Sequence, residues 1–196
     1  MPAKHVVIAA HPKMLSFTLT IARAYCDAVR ERGNEAILRD LYRVDFDPRL
    51  AADEMPADEG FAARADVKAE RELLQGADAY AFVYPLWFNA PPAMLKGYLD
   101  RVFGFGFAYT HGRGGMDPLL GPSKMISFTS SGAPTQWVTK TGAWNAIRTL
   151  FDEHFAAVCG LTVVDHVHFG AIASSIRPDV VERHIETTRL AVAKHF

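Results

Sequence analysis

Residues 79–102 read AYAFVYPLWFNAPPAMLKGYLDRV, and this stretch decides the fold. Its apolar run, Ala79 to Tyr84, is continuous rather than alternating, which is typical of a parallel strand covered on both faces. Pro85 ends the run, and an aromatic loop interrupted by prolines follows. A helix is then predicted over Pro92 to Phe103, since proline is tolerated in the first turn of a helix. A strand, a loop and a helix in this order form the repeating unit of an α/β protein.

The same alternation runs through the rest of the chain. Strands are predicted at Val6–Ala10, Glu35–Leu41, Ala79–Tyr84, Lys124–Thr129 and Leu161–Phe169. Helices are predicted from the Ser16 cap to about Arg32 and at Glu59–Gln75, Pro92–Phe103, Thr141–Cys159 and Pro178–His195. Residues 42–58 and 105–122 are predicted to be loop insertions. The pattern predicts one α/β domain over residues 1–196, a three-layer sandwich with a five-stranded parallel sheet of order 2-1-3-4-5.

Composition excludes several classes of protein. The chain has 196 residues, 49% of them hydrophobic, and a net charge of −1, so no basic surface for nucleic acid or an anionic membrane is expected. No apolar run approaches the roughly 18 residues of a membrane span, and the N-terminal apolar run is too short for a signal peptide. Cys26 and Cys159 have no CxxC spacing, and we expect buried, reduced thiols in a cytoplasmic protein.

Three predicted loops follow strands whose carboxyl ends converge on one edge of such a sheet. The first, His11 to Thr18, opens a helix. Its free N–H groups, the helix dipole and the hydroxyls of Ser16 and Thr18 are suited to binding a phosphate. The loop lacks both GxGxxG and GxxxxGK[ST], so it is neither a dinucleotide fingerprint nor an NTPase P-loop. A plain, well-capped helix start is the alternative.

The other two loops are suited to a flat ring. In Pro85 to Asn89, backbone groups can bond the edge of a heterocycle while Trp87 or Phe88 packs on its face. The alternative is a hydrophobic loop that only packs under the helix. In Thr129-Ser130-Ser131-Gly132-Ala133, small side chains should leave N–H groups accessible to negative charge on that ring.

Two further features of the sequence are candidate sites. The segment Gly104 to Tyr109, with Trp137 downstream, is a candidate aromatic lid, or alternatively a hydrophobic loop covered by a partner subunit. His166 and His168 alternate on a strand and share a face, but no third ligand is evident, so no metal site is predicted. We find no Ser/His/Asp or Cys/His constellation for acyl transfer.

Taken in order, these segments resemble the NAD(P)H:quinone oxidoreductase family of flavodoxin-like flavoproteins, the DT-diaphorase type. The resemblance covers nearly the whole chain. Its motifs are His11-Pro12 with Ser16-Phe17, Asp40-Leu41-Tyr42, Phe46 and Pro48, Pro85-Leu86-Trp87-Phe88, Pro92 to Tyr98, Asp100-Arg101-Val102, Gly106 to Tyr109 and Ser127 to Gly132. Each motif is modest alone, but the ordered set is specific.

The resemblance implies a cytoplasmic homodimer that binds FAD, with FMN as the close alternative, and uses NAD(P)H to reduce a quinone. The flavin would contact His11, Ser16, Phe17 and Thr18 through its phosphate and ribityl part. Pro85, Leu86, Trp87, Phe88, Asn89, Thr129, Ser130, Ser131 and Gly132 would contact its isoalloxazine ring. Phe107, Ala108 and Tyr109 would line the nicotinamide and quinone pocket, reaching it from the other subunit, and Trp137 is a further candidate for binding the substrate.

The resemblance leaves the catalytic side chain unassigned. Family members place a Tyr and a His after the fourth-strand loop for charge relay, whereas this chain has Trp137 and Thr141-Gly142-Ala143-Trp144 there. Thr18 stands where Asn is frequent, and Ser131 where Gly is frequent. Alternatives are an azo- or nitro-compound reductase, a flavin-binding regulatory subunit of a cation efflux system, and a one-electron carrier.

Overall fold

The computed structural model describes residues 1–56, 62–112 and 114–196. Its main sheet has five parallel strands, and a separate antiparallel hairpin adds two short ones. In chain order the strands are β1 (Lys4–Ala9), β2 (Glu35–Asp40), β3 (Ala79–Pro85), β4 (Tyr109–Gly112), β5 (Gly115–Pro118), β6 (Lys124–Ser130) and β7 (Thr162–Phe169). The main sheet has the order β2-β1-β3-β6-β7, which confirms the predicted order 2-1-3-4-5.

Helices cover both faces of this sheet. They are α1 (Phe17–Glu31), α2 (Ala65–Leu74), α3 (Ala93–Val102), α4 (Thr135–Lys140), α5 (Ala143–Ile147), α6 (Ala156–Cys159) and α7 (Pro178–His195). A π-helical segment, Arg148–Phe155, joins α5 to α6, and Ala52–Glu54 forms a 3₁₀ turn.

The continuous apolar strands are explained by two cores. Val7 and Ala9 of β1 point to one face and pack with residues of α1 and α7. Val6 and Ile8 point to the other face and pack with residues of α2, α3 and the π-helical segment. Because successive strand residues alternate between faces, burial on both sides requires an unbroken apolar run. The predicted three-layer sandwich is confirmed.

Three predicted element boundaries differ from the structure. The segment 105–122 is in part the hairpin β4–β5, whose four-residue strands are too short and glycine-rich to show a clear period. The helix predicted over Thr141–Cys159 begins two residues later, at Ala143, because Gly142 adopts a positive φ of 74° and separates it from α4; its middle, Arg148–Phe155, is π-helical. α2 begins only at Ala65; the predicted start at Glu59 lies outside the described residues, but 62–64 are not helical.

A buried ion-pair network attaches the 42–56 insertion to the domain. Arg101 of α3 is only 4% exposed and donates to Glu54 at 2.7 Å, to Asp66 at 2.7 Å and to the carbonyl of Asp47 at 2.6 Å. Its guanidinium also lies 5.1 Å from the ring of Phe46. One arginine therefore joins the insertion and the start of α2 to α3.

Two sequence predictions concern the cysteines and membrane-spanning segments. Cys26 and Cys159 are free and buried, as expected, and burial raises the pKa of Cys26 to about 11 and that of Cys159 to about 12. None of the helices described here combines the length and apolar character needed to cross a membrane.

Candidate functional site

A cavity of about 530 Å³ opens at the carboxyl edge of the sheet. It lies at the carboxyl ends of the neighbouring strands β1 and β3. The chain runs from β1 to β2 on one side of this pair and from β3 toward β6 on the other, and ligands usually bind at such a position in open α/β sheets. Its volume is in the range of small-molecule sites. The lining residues are His11, Pro12, Lys13, Leu15, Ser16, Phe17, Thr18, Pro85, Leu86, Trp87, Ser130, Ser131, Gly132, Ile172, Ala173, Ser174 and Ile176.

The first wall is the β1–α1 loop. Ser16 is the N-cap of α1, and its hydroxyl accepts the N–H of Leu19 at 3.3 Å. Arg43 fixes the loop by donating to the carbonyls of His11 and Pro12 at 2.9 and 2.8 Å. Burial lowers the pKa of His11, so Lys13 supplies the positive charge here. A helix N-terminus beside a lysine is suited to a phosphate.

The second wall is a tight turn after β3. Trp87 and Ala90 exchange two backbone hydrogen bonds of 3.1 Å, and the two residues between them, Phe88 and Asn89, have positive φ of 50° and 56°. This is the geometry of a type I′ turn, which is unfavourable for a non-glycine residue. Asn89 anchors the turn to α5 by donating from Nδ2 to the carbonyl of Ala143 at 2.8 Å.

The turn presents its two aromatic residues differently. Trp87 lines the cavity, and its ring centroid lies 6.1 Å from that of His11. Phe88 does not line the cavity and is fully exposed. Of the two predicted stacking residues, the structure therefore brings only Trp87 to the cavity within one chain.

The third wall is the loop after β6, and its backbone differs from the expectation. Leu86 donates its N–H to Ser130 at 2.7 Å, which joins the second and third walls. Ser131 donates its N–H to Phe169 of β7 at 3.0 Å, so this group is not available to a ligand. Thr129 does not line the cavity; its hydroxyl lies between His166 and His168, at 2.8 and 2.9 Å.

A fourth wall was missed by the sequence analysis. The loop after β7 contributes Ile172, Ala173, Ser174 and Ile176. The signal was present, because this loop also follows the carboxyl end of a strand. Lys13 was likewise not singled out, although it lies in the predicted phosphate loop.

The remaining predicted residues lie elsewhere in the chain. Phe107 contacts Arg71 and Phe103, Ala108 is fully buried, and Tyr109 packs against Phe105. This segment follows the far end of α3 and borders a second cavity, of about 860 Å³, at the amino edge of the sheet. Trp137 lies on α4, is 57% exposed and lines neither cavity.

His166 and His168 share a face of β7, as the alternation predicted, and both bond to Thr129. Over residues 1–56, 62–112 and 114–196, no group of three or more His, Cys, Asp or Glu side chains is arranged for a metal ion.

Comparison with known proteins gives the family. A model described as "Flavodoxin-like fold" matches residues 3–196. A Haemophilus influenzae relative named "Uncharacterized NAD(P)H oxidoreductase" is 32% identical over 169 residues, which cover 86% of this chain and 84% of the relative. The chain belongs to the flavodoxin-like NAD(P)H oxidoreductase family. The resemblance stated from the motifs is thereby confirmed.

Two further relatives carry more specific names. Rat "NAD(P)H dehydrogenase [quinone] 1" is 26% identical over 180 residues, which cover 82% of this chain and 66% of the rat protein. The solved structure of an NAD(P)H:quinone oxidoreductase from Methanothermobacter marburgensis aligns with a TM-score of 0.86 and 25% identity, covering 100% of this chain and 99% of that one.

The family implies a flavin, and the cavity fits one. The lining includes the α1 N-terminus, Ser16 and Lys13, which suit a phosphate, and Leu86, Trp87 and Ile172, which suit an apolar ring. Backbone hydrogen bonds join the second, third and fourth of these loops, and the Arg43 side chain fixes the first, so the site is largely formed before a ligand arrives.

Proposed function

We propose that this protein is a flavin-dependent NAD(P)H:quinone oxidoreductase that transfers two electrons as a hydride by a ping-pong mechanism. NAD(P)H binds, donates its hydride and leaves, and a quinone then takes its place. When bound, the flavin supplies the hydride chemistry, and the protein supplies binding, orientation and charge.

One observation carries this proposal. The three loops that the resemblance assigned to the flavin surround one cavity at the carboxyl edge of β1, β3 and β6. Loops far apart in sequence, at residues 11–18, 85–87 and 130–132, are brought together there. The alternative of a plain helix start does not account for a lysine, an N-cap serine and a tryptophan around one opening.

The residues would divide the work by chemistry. Ser16, Thr18, Lys13 and the first-turn N–H groups of α1 would bind the phosphate. Trp87, with Pro85 and Leu86, would pack against the isoalloxazine ring. Ser130, Ser131 and Gly132 would border its polar edge. The resemblance favours FAD over FMN, and the mass of the flavin released from denatured protein would distinguish the two.

We also propose that the 196 residues form one domain and that two copies of the chain pair as a homodimer. The homodimer would be located in the cytoplasm. Phe88, Trp137 and Leu150 are large apolar side chains that are 106%, 57% and 71% exposed. A second copy would cover such side chains, and could bring Phe107, Ala108 and Tyr109 to the cavity of its partner. Two free, buried cysteines are compatible with a reducing compartment.

The position of the flavin is tested by filling each cavity in turn. Ala173 is exposed on the rim of the carboxyl-edge cavity, and Gln75 is exposed on the rim of the amino-edge cavity. Ala173→Trp should weaken flavin binding at least about tenfold, or about 1.4 kcal/mol, while Gln75→Trp should leave it unchanged. Titration of FAD and FMN into stripped protein measures both. The opposite pattern would place the flavin in the other cavity.

Turnover distinguishes the alternatives. A panel of quinones, azo dyes and nitroaromatics with NADH and NADPH should give the highest kcat/KM for a quinone, with parallel double-reciprocal lines. Preference for an azo or nitro compound would favour that reductase class. Bound flavin without turnover of any acceptor would favour a regulatory subunit.

A further inference from the structure

Five side chains form a continuous hydrogen-bonded chain from the buried core to the cavity. Asp152 Oδ2 lies 2.6 Å from His166 Nδ1, and His166 Nε2 lies 2.8 Å from Thr129 Oγ1. Thr129 Oγ1 lies 2.9 Å from His168 Nδ1, and His168 Nε2 lies 3.0 Å from Ser131 Oγ. Ser131 lines the cavity, whereas the side chains of Asp152 and His166 are only 1% and 2% exposed.

Strand register and helix geometry bring these groups together. Thr129 of β6 is paired with His168 of β7, and Ser127 with His166, so both histidines lie on the same face as Thr129. Asp152 approaches that face from the π-helical segment, and Ser127 donates its hydroxyl to Asp152 Oδ1 at 3.2 Å. π-helical insertions are found frequently at functional sites.

The hydrogen-bonded chain of five side chains has one arrangement of its protons in which both histidines are neutral. Ser131 donates to His168 Nε2, His168 donates from Nδ1 to Thr129, and Thr129 donates to His166 Nε2. His166 donates from Nδ1 to the carboxylate of Asp152. All four bonds then point from the cavity toward Asp152, and each imidazole nitrogen has a partner.

A second arrangement has one more proton and reverses three of those bonds. His166 is now doubly protonated and donates both to Asp152 and to Thr129, Thr129 donates to His168 Nδ1, and His168 donates from Nε2 to Ser131. The Ser131 hydroxyl turns to the carbonyl of Ala133, which lies 2.8 Å away. Again each imidazole nitrogen has a partner. The two arrangements differ by one proton on His166 and by the tautomer of His168.

We propose that this chain of groups is a proton relay that stores one proton on the His166–Asp152 pair and delivers it through Ser131 to an acceptor molecule in the cavity. The inference rests on the proposed function, whose balance is quinone + NAD(P)H + H⁺ → hydroquinone + NAD(P)⁺. The nicotinamide supplies the hydride, and the relay supplies the proton to the reduced quinone oxygen. Solvent returns a proton through Ser131 after the product leaves the open cavity.

Delivery shifts four protons in one concerted movement, so no alkoxide or imidazolate forms. The Ser131 hydroxyl proton passes to the quinone oxygen as His168 Nε2 donates its proton to Ser131. In the same movement Thr129 donates to His168 Nδ1, and His166 Nε2 donates to Thr129. The protonated arrangement has become the neutral one, no nitrogen is left unpaired, and His168 is never doubly protonated.

The surroundings favour this pathway. Burial, with the neighbouring His166 second, lowers the pKa of His168 to about 4, so His168 passes a proton without retaining it. The ring of Trp144 lies 4.7 Å from that of His166 and 5.6 Å from that of His168, and it covers both.

Two other ionisable groups lie near the carboxylate of Asp152. Arg148 Nε lies 3.9 Å from Asp152 Oδ2 and competes with His166 for this oxygen. Tyr84, whose hydroxyl is buried without a hydrogen-bond partner among the described residues, stays neutral because burial raises its pKa.

The tautomer of His168 tests the relay without turnover. In the oxidised holoprotein, imidazole ¹⁵N shifts measured at about pH 8 and at about pH 5 should show His168 changing from Nδ1–H to Nε2–H when the relay takes up its proton. Thr129→Val removes the bridging hydroxyl and should abolish this exchange, and Thr129→Ser should restore it. The buried Thr188, whose hydroxyl donates to the backbone carbonyl of His184 on α7, provides the control Thr188→Val, which should behave like the wild type.

Rapid kinetics tests the role of the relay in the reaction. Thr129→Val should slow the quinone half-reaction about a hundredfold while leaving reduction by NAD(P)H within about twofold, since positioned proton transfer contributes factors of this size. Thr129→Ser should recover most of the rate.

Three results separate the possible failures. A single His168 tautomer throughout the wild-type titration, or an exchange that persists in Thr129→Val, would overturn the relay. An unchanged quinone half-reaction in Thr129→Val would overturn its catalytic role. Wild-type protein whose flavin is not reduced by NAD(P)H would overturn the proposed function, and the NMR result would still decide whether the relay exists.

Discussion

At the scale of single residues, buried histidines make the stability of this protein sensitive to acid. His5 of β1 is 1% exposed, and its Nδ1 lies 2.8 Å from the hydroxyl of Tyr25. Burial lowers the pKa of His5 from 6.5 to about 4. The hydroxyl of Tyr25 stays protonated because burial raises its pKa, so it donates to a neutral His5.

The sign of the pH effect follows from linkage. Between pH 6.5 and about 4, the unfolded chain binds a proton at His5 that the folded protein excludes, so the free energy of unfolding falls as the pH falls. The contribution of His5 to the free energy of unfolding is fully present above pH 6.5 and is on the order of 3 kcal/mol. The free energy of unfolding of His5→Gln, measured with urea, should therefore fall less between pH 7 and about 5 than that of the wild type. The exposed-site control His154→Gln should lose as much stability over this range as the wild type does. Parallel pH profiles for all three would contradict this assignment.

At the scale of secondary-structure elements, Arg101 joins α3, α2 and the 42–56 insertion through a buried bond to Glu54 and a partly buried one to Asp66. Removing it would leave the 4%-exposed carboxylate of Glu54 without its main cation. Arg101→Ala should lower the free energy of unfolding by about 3–5 kcal/mol, as for other buried ion pairs that lose one partner.

A surface pair on the same helix is the matched control. Lys96 bonds Asp100 at 2.6 Å, but the two side chains are 63% and 41% exposed. Lys96→Ala should cost less than about 1 kcal/mol. Equal losses in the two variants, measured by urea unfolding, would mean that the Arg101 network does not anchor the insertion.

The element scale also shows what could be predicted from the sequence. The strand order and the three site loops were predictable, because buried parallel strands are continuous apolar runs and their carboxyl ends converge. The relay was not, since it depends on how β6 and β7 are paired, with a register shift near Met125 and Ile126. It also depends on a π-helical segment that places Asp152 over His166, and a search for 3.6-residue periodicity does not detect such a segment.

At the scale of the whole molecule, we propose that a second copy of the chain completes the site. Phe107, Ala108 and Tyr109 do not line the carboxyl-edge cavity, although the resemblance assigns them to the nicotinamide and quinone pocket. A homodimer would reconcile these facts, with each chain contributing this segment to its partner's site.

Tyr109→Ala tests that arrangement. It should raise the KM for quinone and for NAD(P)H severalfold, because an aromatic wall of the pocket is lost, and should leave flavin content and dimer mass unchanged. Absorption spectra and analytical ultracentrifugation measure the latter two. Loss of flavin would instead mean that Tyr109 supports the flavin site, and a monomeric wild type with full activity would contradict pairing.

The most direct test of the central claim is the visible absorption spectrum of the purified protein, recorded anaerobically before and after NADH or NADPH is added. We predict oxidised flavin bands that bleach rapidly with at least one nucleotide and return when a quinone is added. Flavin bands that remain oxidised with both nucleotides, or no flavin bound after incubation with FAD and FMN, would contradict the account.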